Sequence, residues 1–275
     1  MKNAEHIAIV GSGAVASALA IALHRKKFTL TLIGRNIRTV KSLAKKVNGN
    51  AVLIGKMTEK HIAGIVFIAV PDRAIAGVVQ TMRKCSESLT TSTIFHLSGV
   101  LTSEALRPLK LSGAYVGSFH PMQTFPKGKT ARLDNIWIAV EGDRKALQVS
   151  ARLAKILHAR TFIISKEVKV LYHTAAVFAS NYLVTLLSVV EQIAEQIKIP
   201  PKSIWKIYQP IIEQTLHNVM DSSPAKALTG PITRGDVKTV TMHLQALSKK
   251  ELNHLVPLYS VLGLETARLV KKQHR

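Results

Sequence analysis

The chain is poor in cysteine, in aromatic residues and in acid. Its single cysteine, Cys85, among 275 residues excludes an internal disulfide framework. It fits a reducing compartment, so a cytoplasmic location is expected. The eleven histidines show no paired ligand spacing, and Cys85 has no CxxC partner, so no metal site is expected. Aromatic residues make up 5% of the chain, too few for a base-stacking platform, and nucleic-acid binding is poorly supported. No secretory signal is visible, because Ile7 to Val10 is too short for an apolar leader core. The most apolar stretch, Ala175 to Val190, falls short of the roughly 20 residues that span a bilayer. It also carries Ser180, Asn181 and Thr185. It reads as a core helix, with no membrane partner.

Acid is scarce against base: 16 Asp and Glu face 38 Lys and Arg, a formal charge of +22. Charge bears on partners and solubility, not on fold. The basic residues run from Arg25-Lys26-Lys27 to Lys271-Lys272 without one long block. A generally basic surface and anionic small ligands are the favoured reading.

What is present is glycine at a telling place. Gly11-Ser12-Gly13-Ala14-Val15-Ala16 has G-x-G-x-x-A spacing between the β-branched run Ile7 to Val10 and the apolar run Ala18 to Leu23. Gly11 permits a tight strand-to-helix turn. Gly13 lets a pyrophosphate approach the backbone at a helix N-terminus. Ala16 lets that helix lie against the strand. The expected dinucleotide contacts are Gly11, Ser12, Gly13, Ala14 and Val15, with Val70 and Pro71 at the end of a later apolar strand. The second strand ends in Gly34-Arg35-Asn36, followed by Arg38. An acid that would take the ribose 2′-OH is missing, and Arg35 and Arg38 suit a 2′-phosphate, so the expected cofactor is NADP.

The order of segments predicts an α/β chain. Strands are expected at 6–11, 28–33, 51–54, 65–70, 93–97, 115–119, 136–140 and 161–164, with helices at 14–25, from Asn36 to about 47, after Pro71-Asp72, and at 144–157. From Lys166 the pattern turns helical, with segments 166–197, 203–220, 236–247 and 251–272. The expected domains are a doubly wound Rossmann domain at 1–165 and an all-α domain at 166–275.

Four constellations are candidates for chemistry. Ser98 follows a strand in His96-Leu97-Ser98-Gly99, and either faces the ligand or caps a turn. His120 follows a strand in Ser118-Phe119-His120-Pro121, and either donates a proton or satisfies its loop. His173, Val177 and Asn181 are spaced by four. In a regular helix they share an arc of about 80°, with His173 and Asn181 about 12 Å apart along the axis. Arg234 lies in Thr229-Gly230-Pro231-Ile232-Thr233-Arg234-Gly235-Asp236, where it suits a carboxylate or the cofactor phosphates; Asp236 suits an N-cap.

The runs Phe119 to Phe125, Tyr172-His173 through Ser180-Asn181-Tyr182, and Leu228-Thr229-Gly230-Pro231 through Arg234-Gly235-Asp236 resemble those of a widespread bacterial family. Its members join a Rossmann domain to a helical domain of unknown function. The family is similar in architecture to 6-phosphogluconate dehydrogenase-like proteins, among them ketopantoate, pyrroline-carboxylate and prephenate enzymes. In ordinary ketopantoate reductases a Lys-x-x-x-Asn pair stands on the first long helix; here Asn181 matches the Asn and Val177 stands at the Lys. His120-Pro121 and Ser98 resemble the His-Pro turn and strand-end Ser of prephenate dehydrogenases.

The resemblance implies an NADPH-dependent reductase of a small 2-oxo acid, with 2-dehydropantoate the leading candidate. His120 or His173 would supply the proton, Asn181 would hold the carbonyl, Ser98 would assist, and Arg234 would bind the carboxylate. It also implies a homodimer. A prephenate dehydrogenase-like enzyme and a non-catalytic NADP-binding sensor are the alternatives.

Overall fold

The computed structural model describes residues 5–86, 88–126, 128–249 and 251–273. Strands β1 (His6–Val10), β2 (Thr29–Gly34), β3 (Asn50–Leu53), β4 (Ile65–Ile68), β5 (Thr93–His96), β6 (Tyr115–Pro121), β7 (Trp137–Gly142) and β8 (Arg160–Ile163) form one sheet in the order β3-β2-β1-β4-β5-β6-β7-β8. All neighbours are parallel except β6 and β7. Continuous apolar runs such as Ile65–Ile68 suit strands covered on both faces, and that run is buried at every position.

The helices alternating with these strands are α1 (Ala14–Arg25), α2 (Ile37–Lys46), the short α3 (Glu59–Ile62), α4 (Asp72–Cys85), α5 (Arg107–Leu111) and α6 (Arg144–Ile156). Asn36 caps α2, its side chain accepting from the backbone N–H of Arg38 and Thr39. On one sheet face Phe67, Phe95 and Phe119 pack ring to ring, with centroids 5.3 to 5.8 Å apart. On the other face Val66, Ile68, Ile94 and Val116 pack with Ile75, Val79 and Met82 of α4.

The chain forms two compact units, Met1–Ser180 and Asn181–Arg275. The division falls later than the change of sequence pattern at 165. The reason is local: α7 (Lys169–Val177) carries Lys169, Tyr172 and His173, whose partners all lie in the first unit. The expectation of one unbroken helix over 166–197 needs correction. After α7 comes a π-helical turn, Phe178–Tyr182, and only then α8 (Leu183–Gln196).

The second unit continues with α9 (Pro201–Asp221), the short α10 (Pro224–Ala227), α11 (Val237–Leu247) and α12 (Val256–Gln273). Asp236 caps α11, accepting from Thr239 N–H at 3.0 Å. The core-helix reading of Ala175 to Val190 is also corrected. The segment is exposed or half-buried throughout, because apolar residues occur on all its faces and one chain covers too few of them. Lys169–Gln196 has mean hydropathy 1.4 and is long and apolar enough to cross a membrane by length and composition.

Candidate active site

Two sites are built at the carboxyl ends of the strands of the first unit. The first is a groove of about 890 Å³ at the ends of β1, β2 and β4. Parallel strands leave their carboxyl ends open where the order reverses, here between β2-β1 and β4. Gly11 makes the turn: its N–H donates to Ile33 O at 2.8 Å. Its φ is +135°, and a Cβ there would stand 2.1 Å from Ala69 O. Gly11 is therefore required by the fold.

Gly13 is different. Its φ of −78° suits any residue, and a Cβ placed on it would meet nothing within 4 Å. Nothing among the described residues requires glycine at 13. Its missing side chain leaves the N-terminus of α1 open, with no side-chain cap on the first N–H groups, as anion binding there needs.

Gly11, Ser12, Gly13, Arg35, Val70 and Pro71 line this groove. Ala14 and Val15 form the first turn of α1 behind it, and Arg38 is exposed in the first turn of α2. The groove wall contains no carboxylate but holds a second cation, Arg73, which the sequence did not single out. Arg73, Gly77 and Thr81 are spaced by four along α4 and share its groove-facing side. That periodicity was the available signal.

The second site is a cluster of imidazoles around Gly99. Period-two alternation puts Ser118 and His120 on one face of β6, and His96 of β5 pairs with Ser118 in register. His96 is wholly buried. Its Nδ1 accepts from Ser98 N–H at 3.2 Å and its Nε2 donates to Thr102 O at 3.0 Å. Both nitrogens are thus used in the neutral form, and burial pushes its pKa down to about 4. His96 clamps the loop that carries Ser98 and Gly99.

Ser98 anchors the same loop. Its hydroxyl donates to Asp72 Oδ2 at 2.8 Å and accepts from Val100 N–H and Leu101 N–H at 3.1 and 2.9 Å. With its one proton and both lone pairs engaged, Ser98 shapes the turn rather than offering a free donor.

His120 and His173 close on Gly99 from two sides. A Cβ there would stand 2.4 Å from His173 Nδ1 and 2.8 Å from His120 Nε2. The two rings meet edge to face, centroids 5.6 Å apart. His120 Nδ1 lies 2.7 Å from the Tyr172 hydroxyl. Burial, then His173, then the Lys169 charge lower the His120 pKa to about 4, against a raising effect of Asp72. Burial raises that of Tyr172 to about 12. At neutral pH His120 is an uncharged imidazole and Tyr172 a phenol. His173 Nδ1 is buried without a hydrogen-bond partner among the described residues, an uncommon state for a polar atom.

The structure therefore gathers Ser98, His120 and His173 around one turn. Asn181 and Arg234 belong to the second unit, where both are exposed. Asn181 lies within the π turn Phe178–Tyr182, where the spacing of a regular helix no longer applies. Tyr172 and Asp72 join the cluster without having been assigned roles in the sequence. Tyr172 stood beside His173, and Asp72 read only as a helix start. No group of three or more His, Cys, Asp or Glu suited to a metal occurs among the described residues.

Residues 2–121 match a Rossmann-like domain, and residues 136–266 match the domain of unknown function DUF2520. No curated protein matches the chain. Among solved structures, the fold is similar to that of a candidate NADP oxidoreductase from Bacteroides fragilis, with TM-score 0.81, 23% identity, and 96% of this chain and 98% of that one covered. Protein TM1727 from Thermotoga maritima has TM-score 0.74 and 25% identity, over 98% and 100% of the two chains. An imine reductase from Myxococcus stipitatus in complex with NADP+ has TM-score 0.68 and 16% identity, over 98% and 95%.

Proposed function

We propose that this chain, a Rossmann-like domain followed by a DUF2520 domain, is an NADPH-dependent oxidoreductase that reduces a small 2-oxo acid, with 2-dehydropantoate the first substrate to test. The observation that carries the cofactor assignment is the groove itself. Gly13 has no internal reason to be glycine, the wall holds Arg35 and Arg73, and it contains no carboxylate. Two of the similar structures bear names that fit, an NADP oxidoreductase candidate and an imine reductase with NADP+. Gly11, Ser12 and Gly13 would hold the pyrophosphate at the start of α1, and Arg35 the 2′-phosphate. When bound, NADPH supplies a hydride.

The imidazole cluster would then manage the proton. A carbonyl carbon that gains hydride leaves a strongly basic alkoxide oxygen. His120 is neutral, so the proton it can give is the one on Nε2, with Tyr172 donating to Nδ1. Transfer of Nε2–H to the alkoxide, with the Tyr172 proton passing to Nδ1, yields the alcohol, a neutral His120 and a tyrosinate that solvent reprotonates. The 2.7 Å contact between His120 and Tyr172 supports this relay. His173 would orient the substrate oxygen.

The test is NADPH absorbance with a panel of 2-oxo acids, followed by rescue of a pantothenate auxotroph for 2-dehydropantoate. Turnover of one oxo acid supports the reading, and NADPH binding without any turnover supports a sensor. A cyclic imine in the same panel tests a second reading. That reading is favoured by the absence of a charged acid at His120, since an iminium carbon needs hydride alone. For the second unit, Asn181→Ala and Arg234→Ala test whether those residues hold the carbonyl and the carboxylate; each is expected to raise substrate KM.

We also propose a homodimer in the cytoplasm. Val184, Ile207, Ile211 and Met220 of the second unit are exposed, Met220 at 79%, and apolar surface of that extent calls for a cover. Sedimentation is expected to give twice the chain mass without detergent. A monomer that partitions into vesicles would instead assign the apolar helix to a membrane.

A further inference from the structure

Behind the imidazole cluster lies a charged pair that the relay does not use. Lys169, at the start of α7, is 1% exposed, and Glu141 of β7 is 4% exposed. Their charges are 3.7 Å apart, beyond hydrogen-bond reach. The carboxylate is already engaged: Ser103 N–H donates to Oε2 at 2.7 Å and Ser103 Oγ donates to Oε1 at 2.5 Å. The Lys169 ammonium is left buried with no hydrogen bond among the described residues. A buried ion pair is weak evidence for stability, because desolvation consumes most of the Coulomb attraction. A methionine of similar length would fill the same volume without that cost.

The position of the pair is what distinguishes it. Ser103 closes the loop that starts at Ser98, and Thr102 of that loop accepts from His96. Lys169 lies one turn before His173 on the same face of α7, and Tyr172 lies between them in sequence. The chain of contacts Ser103–Glu141–Lys169 therefore links the turn that holds Gly99 to the helix that delivers Tyr172 and His173. Charged and titratable groups around the pair are Asp72 of α4, His96 of β5, His120 of β6, Lys166 just before α7, whose charge acts on Glu141, and His173 of α7 itself.

We propose that Lys169, held by Glu141, is a positioning residue of the His120 site. It fixes the register of α7 against the Gly99 turn and places a positive charge behind the imidazoles at neutral pH. This inference rests on the reductase reading for its consequence, since a fixed cation there favours negative charge developing on a substrate oxygen in front of the rings. Its physical content does not depend on turnover. The Lys169 charge is among the causes that keep His120 and His96 unprotonated, after burial in both cases. Burial in turn draws Lys169 down to about 8, against the opposing pull of Glu141 and Asp72. The charge is thus largely present at neutral pH and fades as pH rises through 8.

The test follows the His120 ring protons by NMR through an acid titration of the full chain. Wild type is compared with Lys169→Met and with Lys169→Met/Glu141→Gln, using His120→Asn to assign the signal. The double variant leaves no unpaired buried charge and is expected to keep its thermal stability. In the folded variants the His120 midpoint is expected to move up. Where an oxo acid is turned over, kcat is expected to fall on the order of tenfold with KM for NADPH unchanged, and the deficit is expected to vanish above about pH 8. A folded double variant with the wild-type His120 midpoint overturns the proposal. If no substrate is reduced by any form, the reductase reading fails, and the titration still decides the role of Lys169.

Discussion

The arginine-lined groove and the imidazole cluster occupy the same edge of one sheet, yet they are put together in opposite ways. The groove is built largely from backbone turns: four glycines, a helix N-terminus and the ends of three strands, with the cations Arg35 and Arg73 on its wall. The cluster is mostly side chain. Asp72, His96, Ser98, His120, Glu141, Lys169, Tyr172 and His173 come from five elements and a loop, and meet because the sheet registers β5, β6 and β7 side by side. The groove can lose a side chain and keep its shape. The cluster holds its shape by hydrogen bonds among the same groups that would do chemistry.

The largest effect separates the two at the level of rate. His120→Asn is expected to lower kcat by roughly 10²–10⁴-fold while leaving NADPH affinity unchanged, read by steady-state kinetics and by fluorescence titration. An equal loss in both quantities would merge the two sites into one. The groove is sharpened by its glycines. Gly13→Val is expected to weaken NADPH binding about a hundredfold with the melting temperature unchanged, since its Cβ meets only open space. Gly11→Val is expected to unfold the chain, because its Cβ overlaps Ala69 O. Similar melting temperatures for the two variants would refute the distinction.

Acid should strike the cluster first. His96 and His120 titrate in the unfolded chain near 6.5 and in the folded chain near 4. The unfolded state binds the extra protons, so stability is fully present above about pH 6.5 and is lost as pH falls toward 4. The loss is about 3 kcal/mol for each imidazole, measured by denaturant melts across that range. The smallest effect belongs to a single cation. Arg35→Ala is expected to weaken NADPH about tenfold and NADH hardly at all; equal losses would move the 2′-phosphate to Arg73.

The same contrast explains what could be read before the fold was known. The Gly11 to Ala16 turn is local, and its strand, turn and helix lie next to one another in sequence. Asn36 and Asp236 were legible as caps for the same reason, since a cap acts within three residues. His120 and Ser98 were legible as strand-end residues. Their roles were not, because whether Ser98 is free or bound depends on Asp72, 26 residues away. Lys169 and Glu141 gave no signal. A lone acid in an apolar strand and a lysine among several others become a pair only when β7 and α7 pack. The π turn at Phe178–Tyr182 was hidden because residue spacing alone assumes a regular helix.

The proposed chemistry requires a phosphate-bearing nicotinamide nucleotide in the groove. Calorimetric titration of the folded chain with NADPH, and in parallel with NADH, addresses this directly. Saturable one-to-one binding of NADPH, at least about tenfold tighter than NADH, is the predicted result. No saturable binding of NADPH by the folded protein would contradict it.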